Sequence, residues 1–188
     1  MQQLREYDVA WRFISLKMVN EARTEGTYGE KFRDSHMGGL YSHRVCDEVR
    51  LRHGNAAVGA VYTALGDAFH THPRESEINA DPVAFMTEIL KAADLPTDYA
   101  SHVLDESHDA YIREDTELAL SRTGRDVGTP IITFRPGQAD EGSFFGPVIS
   151  AIPRGHDALK LWDAIELIAT QTGMSELKRS NRAPLNFT

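Results

Sequence analysis

The sequence predicts an α/β fold in which a block of helices separates one early strand from a late strand, hairpin, strand and helix. Three observations carry this. Ile131-Ile132-Thr133-Phe134 is a short β-branched and aromatic run, the signature of a buried strand. From about Tyr28 to Arg125 the apolar residues recur at helical spacing. Asp8 to Met18 is apolar on both faces, as in a sheet covered on both sides.

In chain order, Met1 to Glu6 has a helical composition and reads as the last turns of a helix. In the strand expected at Asp8–Met18, Val9, Trp11 and Phe13 alternate with Ala10, Ile14, Leu16 and Met18. Arg12 and Lys17 interrupt it, as charges do on edge strands. Thr24 to Tyr28 is a Gly-containing loop. Lys31 to His53 is expected as a helix with Met37, Leu40, Tyr41, Val45 and Val49 on one face, stopped at Gly54. Asn55 is expected to cap the next helix, whose face carries Val58, Val61, Tyr62, Leu65 and Phe69. Asp81-Pro82 combines a cap with proline at the first helical position. It opens a helix with Val83, Met86, Ile89, Leu90 and Ala93 inward, ending before Pro96. Thr97 and Ser107 start two more helices, the second ending near Gly124. After the strand at Ile131–Phe134, Arg135 to Gly142 supplies the turn chemistry of a longish hairpin loop. Phe144-Phe145 begins the return strand, Gly146-Pro147 ends it, and a helix runs from about His156 to Gln171.

A chain of 188 residues is most simply one domain with a real core. Its 41% hydrophobic and 26% charged content is that of a soluble globular protein. The net charge of -8, with both signs interspersed, argues against nucleic acid or an anionic membrane as main partner. No apolar run approaches the roughly 20 residues that span a bilayer, and the first six residues hold no signal-peptide core. A cytoplasmic location is expected.

Cys46 is the single cysteine, so neither an internal disulfide nor a Cys-x-x-Cys motif exists in these residues. It lies mid-helix without a resolving partner and reads as structural. His70-Thr71-His72 is the densest histidine pair. Residues at i and i+2 do not share a helix face, and no ligand flanks them at metal spacing, so no metal site is expected. Pro130 stands at the mouth of a strand, where an ordinary trans proline is tolerated. A cis Thr129-Pro130 bond would instead leave the Thr129 backbone exposed and fixed, ready to pair with an extended thiol or peptide. Trp162, with Leu161, Ile165 and Ile168, reads as core.

Val127-Gly128-Thr129-Pro130, followed by Phe144-Phe145-Gly146-Pro147-Val148, resembles the C-terminal half of a thioredoxin-fold oxidoreductase of the DsbA type. Ser150-Ala151-Ile152-Pro153-Arg154-Gly155, Leu161-Trp162-Asp163, Glu176-Leu177-Lys178-Arg179 and a Pro-x-Asn-Phe tail are similar to the mycothiol-dependent nitroreductase group of actinobacteria. Ser15-Leu16-Lys17-Met18-Val19-Asn20-Glu21 resembles that group's second strand and following loop. Leu65-Gly66-Asp67-Ala68-Phe69-His70 resembles its helical insert. The resemblance covers nearly the whole chain.

The resemblance implies a thioredoxin-like fold with an all-helical insertion. Residues 1–27 would hold the remnant of the first helix and the second core strand, 28–125 the insertion, and 126–188 the cis-proline loop, hairpin and C-terminal helix. The first strand, most of the first helix and the family's cysteine motif are absent from these residues. The expectation is that the natural protein starts upstream of Met1; the alternative is a degenerate paralogue, completed by another chain or not folded alone. No catalytic residue is assigned in this chain. Thr129 and Pro130 would orient a mixed disulfide by their backbone geometry. Asn20 matches an asparagine near the thiol site, with a loop cap as the plainer reading. His70 matches a histidine over the active site, with a helix C-terminal cation as the plainer reading.

The implied function is thiol-disulfide exchange or nitroreduction with mycothiol as co-substrate. The implied partners are a small-molecule thiol and a nitroaromatic or disulfide substrate, with no covalently bound cofactor. A homodimer is left open. These residues alone would be redox-inactive. The alternatives are a non-catalytic thiol- or peptide-binding pseudoenzyme, or the kappa-type glutathione transferase branch of the same fold.

Overall fold

A computed structural model describes residues 7–21, 27–181, 183, 184 and 186. The helix remnant expected at Met1–Glu6 and part of the Pro-x-Asn-Phe tail lie outside them. The described residues are mixed α/β and mostly helical, with a two-stranded sheet. Contacts divide the chain into a helical unit, Val9–Leu118, and a hairpin unit built from Ala119–Thr188 with Met1–Asp8.

The helical unit is organised around α2 (Thr27–His53), which starts before the expected Lys31 and so takes in Thr27 and Tyr28 of the expected loop. Residues 44 to 49 are all buried, Arg44, Asp47 and Glu48 included. A helix buried on every side must pair its charges internally. The Arg44 guanidinium donates to both Asp109 oxygens at 2.7 and 2.8 Å and to the Val103 carbonyl at 3.2 Å.

Around α2 pack α1 (Leu16–Val19), α3 (Asn55–Gly66), α4 (Glu77–Ala80), α5 (Pro82–Ala92), the 3₁₀ turns Thr97–Leu104 and Glu106–His108, and the first part of α6 (Asp109–Thr123). The α5 cap is as expected: Asp81 accepts from the Ala84 amide at 3.0 Å and Pro82 opens the helix. Its buried face is Phe85, Met86, Ile89 and Leu90; Val83, expected inward, is 43% exposed in the first turn. On α3, Val58, Val61 and Leu65 are buried as expected, while Tyr62 lies outside against Trp11.

Two expectations fail here for one reason. The segment from Asp8 to Ser15 is not a ladder strand, and Leu16–Val19 is helical. No strand pairs with it among the described residues. Side chains take the place of a ladder. The amides of Trp11, Phe13 and Ser15 donate to Asn55 Oδ1 (2.6 Å), Asp115 Oδ2 (3.1 Å) and Thr116 Oγ1 (3.0 Å). Alternate amides of an extended chain point the same way, so one edge is satisfied in register. Arg12 also pairs with Asp115. Asn55 is thereby drawn away from capping: it also donates to the Trp11 carbonyl at 2.7 Å, and Gly54, at φ 81°, holds the cap position of α3.

In the hairpin unit, β1 (Ile131–Phe134) pairs antiparallel with β2 (Gly142–Phe145), Ile131 opposite Phe145 and Phe134 opposite Gly142. The return strand thus begins two residues before Phe144. Thr133 and Ser143 hydroxyls bond across the ladder at 2.8 Å. Arg135, at φ 52°, turns the chain, and its guanidinium pairs with Asp140 and with Glu166 of α7 (Gly155–Ala169). Trp162 of α7 meets Phe134 edge to face with centroids 5.2 Å apart, and Tyr7 at 5.4 Å. It is half-buried rather than fully enclosed. Gly142 is required by close approach: a Cβ there would stand 2.2 Å from the Ala169 carbonyl oxygen.

Candidate functional site

The open end of the hairpin carries Thr129 and Pro130. The Thr129-Pro130 peptide bond is cis, and so is Gly146-Pro147. The Gly146 amide donates to the Pro130 carbonyl at 2.8 Å, so one backbone bond closes the ladder and holds both proline turns together. Thr129 and Pro130 are exposed. What they present to solvent is a turn fixed on both sides by β1 and β2.

Asn20 and His70 belong to the helical unit. Asn20 caps the short α1: its Nδ2 donates to the Leu16 carbonyl at 2.8 Å and its backbone amide to the same carbonyl at 3.1 Å, while the Glu21 amide donates to Met18. That is the plainer reading of the sequence. One observation goes beyond it, because the Asn20 Oδ1 is buried with no partner among the described residues. His70 is exposed within a π-helical turn, Asp67–Thr71, that ends α3. Its neighbour His72 turns back to Asp67, Nδ1 to Oδ2 3.3 Å.

Cys46 is 4% exposed in the middle of α2. Burial first, and the adjacent Asp47 second, push its thiol up to about 12. A thiol so placed stays protonated at neutral pH and is a poor nucleophile. Cys46 is the one cysteine among the 188 residues, and burial disfavours its thiolate.

A polar constellation that the sequence reading missed lies beside Cys46. The next residue, Asp47, accepts from His108 Nδ1 at 2.8 Å and from Arg50 at 2.8 Å. His108 Nε2 is 3.0 Å from His102 Nδ1. Asp105 Oδ2 lies 3.3 Å from His102 Nδ1 and 3.8 Å from His108 Nε2. Glu48 joins from α2, its Oε1 3.9 Å from His102 Nε2, and is held below the usual carboxylate range chiefly by its bond to Arg52. The sequence did contain a signal. His102, Asp105 and His108 recur every third residue, and the two 3₁₀ turns that carry the histidines, joined at the extended Asp105, bring the three side chains together.

No helix among the described residues is long and apolar enough to cross a membrane. The profile of a protein family described as Rv2466c-like, mycothiol-dependent nitroreductase Rv2466c, matches residues 1–179. With nearly the whole length matched, the chain belongs to the Rv2466c-like mycothiol-dependent nitroreductase family.

Proposed function

We propose that this chain is the thiol- and substrate-binding body of a mycothiol-dependent oxidoreductase with a thioredoxin-like core of the DsbA type, and that the reactive thiolate is not one of its own residues. The observation that carries this is the family match combined with the burial of Cys46. Mycothiol supplies reducing equivalents as co-substrate. Reduction of a nitro to a nitroso group takes two electrons and two protons, converts two thiols to one disulfide and releases water. In a family that runs on such chemistry, a lone thiol raised to about 12 cannot take part. The thiolate is then proposed to come from a cysteine outside these 188 residues.

The second edge of β1 has no strand partner among the described residues, which supports a further strand on that edge in the active protein. Thr129 and Pro130 are proposed as backbone contacts for the thiol, and the unpartnered Asn20 Oδ1 as an acceptor for a hydroxyl or amide of mycothiol. His70, exposed on its π-helical turn, is proposed as a substrate contact.

The test is turnover of a nitroaromatic by purified residues 1–188 with mycothiol, together with calorimetric binding of mycothiol alone. The expected result is binding without turnover, weakened in Asn20→Ala. Turnover abolished by Cys46→Ser would overturn the inert assignment of Cys46, and absence of binding would remove the thiol-binding role. A non-catalytic thiol-binding module is the second reading, favoured by the same inert cysteine. Restoring a cysteine-bearing strand in trans separates the two: only the oxidoreductase body gains activity.

A further inference from the structure

We propose that Glu48, His102 and His108, with Asp105, form a binding site for one divalent transition metal of the zinc class, in the helical unit. One donor atom each from Glu48, His102 and His108 lies within 4.8 Å of the other two. Three donors pack more closely. His102 Nδ1, His108 Nε2 and Asp105 Oδ2 are separated by 3.0, 3.3 and 3.8 Å. Tetrahedral ligands at zinc–nitrogen and zinc–oxygen bond lengths sit about 3.3–3.4 Å apart, so the three separations bracket one face of such a tetrahedron. Glu48 closes the wider group from α2, its Oε1 3.9 Å from His102 Nε2, the ring nitrogen other than the one that faces His108 and Asp105.

The orientation of the donors is already set. The buried Asp47 carboxylate takes the His108 Nδ1 proton, which leaves the Nε2 lone pair facing His102. This is the carboxylate–histidine pairing that fixes a metal-bound imidazole. The Ser107 amide occupies Asp105 Oδ1 at 3.0 Å and leaves Oδ2 toward the two rings. Arg52 donates to Glu48 Oε1 at 2.7 Å. It is itself largely exposed, and a carboxylate has lone pairs enough for both a guanidinium and a metal. Charge favours a cation as well. The carboxylates of Asp47, Glu48 and Asp105 face the guanidiniums of Arg50 and Arg52, so the cluster with neutral imidazoles keeps a net negative charge. Two imidazole donors select zinc-like ions over magnesium or calcium. A bound ion would tie the C-terminal half of α2 to the 3₁₀ segment 97–108.

Untagged, chelator-stripped protein titrated with zinc chloride in a calorimeter decides the matter, with cobalt as a coloured substitute. The expected result is one zinc per chain, a higher Tm when loaded, and a visible cobalt spectrum of tetrahedral intensity. His102→Ala should lose the binding. Asp47→Asn, which spares every ligand, should keep the stoichiometry and weaken affinity by about 10–100-fold. His72→Ala, outside the cluster, should change neither. Stripped wild-type protein that takes up no zinc overturns the proposal before any variant is made, as does binding that survives His102→Ala. If His102→Ala does not fold, Asp105→Asn serves in its place and should weaken binding at least as much as Asp47→Asn.

Discussion

The helical unit and the hairpin unit bury apolar residues to very different degrees. Between Phe13 and Ile112 the helical unit forms one continuous core, with Val45, Val49, Val61, Met86, Leu90, Val103 and Ile112 wholly enclosed. In the hairpin unit the strands enclose only Phe134 and Gly142, and α7 only Ala158 and Ala169. Ile131, Ile132, Phe144, Phe145, Leu161 and Ile165 are half-buried, and Leu167 and Val148 are exposed. The helices satisfy their backbone within themselves and need only side-chain contact to close a core. A two-stranded sheet leaves an edge open and offers one helix too little surface to cover. The difference teaches that side chains of the first region close a core around one central helix, whereas the second leaves most of its apolar side chains half-buried among the described residues.

The largest expected effect tests that contrast directly. Met86→Ala, in the enclosed core, should cost about 2–5 kcal/mol in urea unfolding, whereas Ile165→Ala on α7 should cost only about 1 kcal/mol. Equal costs would break the comparison.

A pH effect of about 3 kcal/mol should come next, confined to the helical unit. The His43 ring stacks on Phe13 and its Nδ1 is buried without a partner among the described residues, and burial lowers its pKa to about 4. The unfolded histidine titrates at 6.5, so below that pH the unfolded chain binds the extra proton. The stabilisation is complete above about pH 6.5 and is lost as pH falls toward about 4. His43→Phe should flatten this part of the stability–pH curve. A variant curve parallel to wild type would show that another group carries the effect.

The smallest pair of effects should differ in sign. Gly142→Ala forces a methyl into the Ala169 carbonyl and should destabilise the hairpin unit by about 1–3 kcal/mol. Gly39→Ala, in α2 with nothing within 4 Å of the new carbon, should stabilise by about 0.5–1 kcal/mol. Denaturant midpoints of the two variants moving the same way would mean that the close approach at Gly142 relaxes freely.

The legible parts were those with short-range causes. The Asp81-Pro82 cap, the strand at Ile131–Phe134 and a helix close to the expected His156–Gln171 rest on residues a few positions apart, and they stand where the local chemistry puts them. Gly124, at φ 92°, ends α6 as a left-handed glycine should. The early segment was misread because alternation reports an extended chain but not what it bonds to. Val9–Ser15 is extended in the way Trp11 and Phe13 implied, yet Asn55, Asp115 and Thr116 replace a neighbouring strand. Among the candidate residues, Thr129 and Pro130 of the hairpin unit could be singled out as a turn, while the Asn20 oxygen of the helical unit, without a partner among the described residues, could not.

By itself the sequence determined the family, the helical character of the middle of the chain, the hairpin, and the presence of a single cysteine. These follow from composition, spacing and motif, which need no knowledge of what lies across the fold. Tertiary structure alone decided that residues 44 to 49 of α2 are enclosed on all sides, so that the Cys46 thiol is pushed up by burial and Arg44, Asp47 and Glu48 become internal partners. It also brought Glu48 to His102 and His108 from another element. Burial and charge pairing between distant residues are properties of the packed chain, and no local pattern encodes which side of a helix will meet water.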